Sequence, residues 1–130
     1  MVDYLNHFVE KIQENIPSFI SVSLVNTNDG TILAYKAKNN EDNSPASSFQ
    51  IEIFKDAIRS FENTEGLTDK RVKDVSIIYK NQVHVTSISD NKQLLVHLVL
   101  DNTANLVLAK MIMIRFREEL TIKLEQENFF

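Results

Sequence analysis

Apolar residues near the start of the chain recur at helical spacing. Leu5, Phe8, Val9, Ile12 and Ile16 follow one another at steps of one, three and four residues. With Val2 they cover an arc of roughly 120° at about 100° per residue. Asp3, Glu10, Lys11 and Glu14 fall on the other side. This predicts an amphipathic helix over 2–16, stopped by Pro17, whose predecessor is pushed out of the helical region. The period then drops to two. Ile20, Val22 and Leu24 alternate with Ser21 and Ser23, so 18–26 reads as a strand. Ile32, Leu33 and Tyr35 carry a second strand over 31–37. Between them Asn26-Thr27-Asn28-Asp29-Gly30 is a turn, its Asp-Gly supplying the positive φ that tight hairpins need. A polar linker, 38–48, ends in Ser47 and Ser48, either of which can cap a helix.

That helix is expected over 46–63. Its apolar set is Phe49, Ile51, Ile53, Phe54, Ala57, Ile58 and Phe61. The set spans roughly 200° of the helical projection, too wide for a helix on one sheet face. Either the helix is deeply seated within the monomer, or part of it meets a second copy of the chain; the second reading is preferred. A loop over 64–71 follows, with Gly66 as the helix stop. Strands are expected at 72–79, 82–89 and 93–100, joined by the short turns Lys80-Asn81 and Asp90-Asn91-Lys92. The last of them, LLVHLVL, is apolar almost throughout, which marks a central strand buried on both faces. The first alternates, with Val75, Ile77 and Tyr79 against Lys73, Asp74 and Ser76, and suits an edge. A final helix is expected over 103–126, capped by Asn102 or Thr103. It is apolar all round from Leu106 to Ile114 except at Lys110, which predicts a buried first half. Beyond, a single stripe of Phe116, Leu120 and Leu124 predicts a surface-lying second half.

The order α-β-β-α-β-β-β-α predicts an α+β domain over 1–126, with a frayed tail at 127–130. It should hold a five-stranded antiparallel sheet with helices on both faces. The strands at 31–37 and 72–79 should lie outside, those at 18–26 and 93–100 inside.

Composition narrows the chemistry. The chain has 130 residues, 43% of them hydrophobic and 25% charged, which suits one globular domain. A net charge of -4 argues against a nucleic-acid partner. There is no Cys, so disulfides, zinc thiolates and thiol catalysis are excluded. No apolar run of about 18 residues exists, so membrane insertion is not expected. With no signal peptide pattern at the start, a cytoplasmic location is expected.

The hairpin VSLVNTNDGTILAYKA, the segment SSFQIEIFKDAIRSF and the segment LLVHLVLDNTANLVLAKMIMIRFREEL lie in this element order. Together they resemble the roadblock/dynein-light-chain superfamily over residues 2–124. Many members carry a Gly near the start of the final helix; this chain has Ala104-Asn105-Leu106 there. The resemblance implies a roadblock/profilin-like sandwich that dimerises through the second helix and the third strand. It places Ile51, Phe54 and Ile58, with Val75, Ile77 and Tyr79, at the dimer interface. It implies a Ras-like small GTPase as partner, as for the bacterial MglB-like regulators, and no catalytic machinery. No cofactor is expected.

Other chemistry is weaker. His84 and His97 fall on neighbouring strands and can share a face, but no third metal ligand is apparent, so a hydrogen-bonded pair is expected and no metal. His7 lies on the polar side of the first helix. Lys110, Arg115, Arg117 and Lys123 give the last helix a basic side interleaved with Glu118 and Glu119, which reads as a salt-bridged surface. Met111 and Met113 read as core. Two alternatives to a GTPase regulator stand. One is a profilin-like or PAS-like sensor holding a small ligand near His84 and His97. The other is a chaperone-like dimer that binds an extended peptide.

Overall fold

The structure is a computed structural model, and it describes residues 3–39, 44–64 and 73–129. Helix α1 spans Tyr4–Asn15, and Asp3 caps it by accepting the Asn6 N–H at 3.1 Å. Ile16 is already extended ahead of Pro17, and Ser18 turns the chain at φ +66°. Strands β1 (Phe19–Asn26) and β2 (Ile32–Ala37) form the expected hairpin. Gly30 sits at φ +77°, where a side chain would be strained. Asn26 and Asp29 close the turn by accepting the N–H groups of Asn28 and Thr31, each at 2.9 Å.

Helix α2 spans Ser44–Glu62. It begins earlier than its apolar pattern, so Ser47 and Ser48 are helical residues and not caps. Pro45 fits this start, since the first turn of a helix does not use its N–H groups. The expected stop at Gly66 lies outside the described residues. Strands β3 (Asp74–Tyr79), β4 (Gln82–Ile88) and β5 (Leu94–Asp101) form the meander. All pairings are antiparallel and the sheet order is β2-β1-β5-β4-β3, as the apolar run in β5 and the alternation in β3 predict.

Helix α3 spans Leu106–Gln126. Its cap is Asn105, which accepts the Leu108 N–H at 3.1 Å; Asn102 and Thr103 belong to the preceding turn. Asp101 holds Thr103 in that turn by accepting both its N–H, at 2.8 Å, and its hydroxyl proton. Asn105→Ala is expected to cost about 1 kcal/mol and lower Tm by roughly 4 °C, read by calorimetry. Beyond Gln126 the chain turns back, with Asn128 at φ +56° and the Phe129 N–H bonded to the Leu124 carbonyl at 2.9 Å.

Alternation along β5 divides the core. Leu94, Val96, Leu98 and Leu100 face α1 and α3, in a cluster with Phe8, Ile12, Leu24 and Met113. Leu95 faces the other way and joins Val25, Ile51 and Phe54 beneath α2. The first half of α3 departs from expectation. Ala109 and Met113 are buried, but Val107 is 70% and Met111 64% exposed, and Leu108 is exposed as well. The helix lies on the sheet along one side only, so an apolar residue on its outer side meets water. Arg117, expected on a basic surface, is buried and donates from Nη1 to Ser87 Oγ at 2.5 Å. Lys110 reaches Asp74 at the start of β3, Nζ to Oδ1 3.0 Å.

Candidate functional site

The α2 side of the molecule gathers the residues that sequence reading marks. Ile51 and Phe54 are buried within the chain itself, packed with Val25 and Leu95. Ile58 and Val75 are partly buried against the same cluster. Ile77 is partly buried on the edge strand, opposite His84 of β4. Tyr79 ends β3, paired with Gln82. The inward side of α2 is therefore used up in the monomer.

A second apolar row remains. Ile53, Ala57 and Phe61 follow one another at four-residue spacing, which stacks them along one side of a helix. Ile53 is 36% and Phe61 49% exposed, with the small Ala57 between them. Glu52, Lys55, Asp56 and Arg59 make the remaining side polar, and Arg59 pairs with Asp56 there. Sequence reading counts Ile53 and Phe61 in the wide apolar arc, but does not single them out as the part left uncovered. That distinction needs the position of the sheet.

The edge strand adds a second feature. Among the described residues β3 pairs only with β4, so its outer N–H and C=O groups face away from the sheet. Ile78, on the face opposite Ile77, is 78% exposed.

Under α2 the sheet carries a polar band. Ser23, His97 and Thr86 occupy neighbouring positions on β1, β5 and β4, and all three are buried. His84 Nδ1 lies 2.8 Å from His97 Nε2, and the rings stack with centroids 5.1 Å apart. His84 Nε2 lies 3.1 Å from Gln82 Oε1. With that oxygen accepting, His84 donates from Nε2, and His97 Nε2–H donates to His84 Nδ1. Burial lowers the pKa of both rings. His97 is pushed down to about 3, by burial first and the adjacent His84 second. The two histidines thus share a face and bond each other. Among the described residues no group of three or more His, Cys, Asp or Glu is placed to hold a metal ion. No helix among them is long and apolar enough to cross a membrane.

No protein-family profile matches the sequence. No curated protein matches it either. Solved structures do match in shape. Myxococcus xanthus MglB superposes with a TM-score of 0.72 at 14% identity, over 95% of this chain and 93% of that one. A roadblock/LC7 domain from Streptomyces avermitilis gives 0.76 at 11% identity, over 93% and 98%. This chain has the roadblock fold. Acanthamoeba castellanii profilin II shares the architecture more loosely, with a TM-score of 0.58 at 14% identity, over 89% and 95%. In this chain α2 packs across β1, β5 and β3, and β3 forms one edge of the sheet.

Proposed function

We propose that this chain is a non-catalytic roadblock-fold dimer of the cytoplasm that regulates or scaffolds a Ras-like small GTPase. The observation that carries the reading is the uncovered row Ile53, Ala57 and Phe61 on a helix whose other apolar side is already spent. Two copies related by a twofold axis would pack these rows on each other, the small Ala57 allowing close approach. The β3 edges would pair antiparallel and extend the sheet through both copies, which removes two exposed edges at once. Ile51, Phe54 and Ile58 would hold α2 in place from behind, while Val75, Ile77 and Tyr79 flank the seam. The GTPase partner is supported by the family resemblance of the hairpin, α2 and β5–α3 segments and by the MglB neighbour.

Ile53→Asp tests the assembly without touching the monomer core. The substitution is expected to leave the circular dichroism unchanged and to weaken self-association at least about 100-fold, because it buries an unpaired charge in the dimer. Sedimentation of the variant as an unaltered dimer would remove α2 from the interface. The partner is tested by immobilising the wild-type chain and passing native lysate with a GTP analogue or with GDP. Retention of a Ras-like GTPase with the analogue alone is the expected result; equal retention in both states, or none, would sink the regulator reading.

A further inference from the structure

The face of the sheet opposite α2 carries a shallow open groove along the seam of α1 and α3. The two helices run antiparallel along it. Lys11 of α1 lies over the Phe116 ring of α3, Nζ 5.6 Å from its centroid. At the other end Lys123 of α3 lies over the Tyr4 ring of α1, at 5.3 Å. Between these ends Phe8 and Leu120, both core residues, make an apolar floor.

The charges around this floor are unbalanced. Glu119 lines the groove, but it is engaged by Arg115, whose Nε lies 3.6 Å from its Oε1. Among the described residues no carboxylate pairs with Lys11 or Lys123. Two ammonium groups therefore flank an apolar channel on a chain whose net charge is -4. Such a site repels a basic surface and attracts an acidic one.

We propose that the α1–α3 groove docks an acidic amphipathic helix of a partner protein. Its dimensions favour that shape. The Lys11 ammonium stands over Phe116, and Phe116 precedes Lys123 by seven residues, a backbone rise of about 10 Å along α3 at ~1.5 Å per residue. Carboxylates at positions i and i+7 of an incoming helix have the same spacing. An apolar side chain at i+3 or i+4 then falls between them, against the partly exposed rings of Tyr4 and Phe116. An extended segment has less to hold here, because helical backbones use their N–H and C=O groups internally and this face offers no sheet edge. The groove lies across the sheet from α2, so the docked helix and a second copy at α2 do not compete.

The test uses the intact chain labelled with ¹⁵N and an alanine-based helical peptide of about 16 residues. The peptide's only other side chains are two glutamates seven positions apart and a leucine four positions after the first of them. Saturable shifts confined to α1 and α3, centred on Phe8, Phe116 and Leu120, are expected. The double variant Lys11→Glu/Lys123→Glu should bind this peptide about tenfold more weakly, and should regain binding to a peptide with lysines in place of both glutamates. If the reversed variant does not fold, Lys11→Gln/Lys123→Gln should still show the loss and a flatter salt dependence. Absence of shifts at millimolar peptide, equal binding by the variants, or shifts centred on α2 would overturn the proposal. So would binding of the wild-type chain to phosphatidylserine vesicles with no response to the peptide.

Discussion

Phe54→Ala is expected to cost about 3–5 kcal/mol and to free α2 from the sheet while the rest of the domain stays folded. Phe54 is the largest fully buried side chain of the α2 cluster, whose other buried members among the described residues are Ile51, Val25 and Leu95. The cluster on the other face takes in Leu94, Val96, Leu98 and Leu100 from β5 together with α1 and α3, and it does not depend on Phe54. Loss of the ring therefore falls on one helix. Amide exchange followed by mass spectrometry should show α2 losing protection while α1 and α3 keep theirs. If α2 amides stay as protected as those of α3, the helix is held by more than this cluster.

Acid is expected to weaken the fold well before the carboxylates titrate. His97 is held near 3 in the folded chain, against about 6.5 when free. His84 is lowered too. A histidine with a depressed folded pKa stabilises fully above its free value. That contribution is lost as pH falls from about 6.5 towards the folded value, because the unfolded chain takes up protons the folded chain refuses. For His97 the loss between pH 7 and pH 4.5 is on the order of 3 kcal/mol. Asp3, Asp29 and Asp101 are shifted down, so their stabilising effect begins to fade only below about 4 and does not blur this window. Urea unfolding at the two pH values measures the drop, and His97→Gln should show much less of it. An unchanged urea midpoint, or an equal drop in the variant, would show that the buried pair is not its source.

Much of this architecture can be read from the amino acids. The run LLVHLVL places β5 in the middle of the sheet because a strand covered on both faces can keep nearly every side chain apolar. The meander alone puts His84 and His97 on adjacent strands, and the register brings their rings together. Other features depend on where one element lies against another. The stretch Leu106–Ile114 is apolar all round, yet Val107 and Met111 face outward, since periodicity cannot show how far a sheet extends beneath a helix. Arg117 reads as a surface cation until Ser87, 30 residues away in sequence, is seen beneath it. Asn105 is passed over as a cap in favour of its neighbours because the competing turn at Asp101 is made through a side-chain oxygen, not through a pattern. Ile53, Phe54 and Phe61 are alike in the helical arc, and only the packed sheet separates the one that is spent from the two that are not.

The pairing of β1 with β5 also governs how the chain must be made. Val22 lies opposite Leu98, so the centre of the sheet joins the first strand to the last. During synthesis the hairpin of β1 and β2 leaves the ribosome long before its second neighbour exists, and β1 waits with one edge open. The hairpin of β3 and β4 waits in the same way on the far side. Neither half can close until β5 is complete, and closing then requires ordering a long intervening segment in a single event. A polypeptide truncated before Leu94 would keep both hairpins and lose the strand that unites them, leaving two apolar edges open to aggregation.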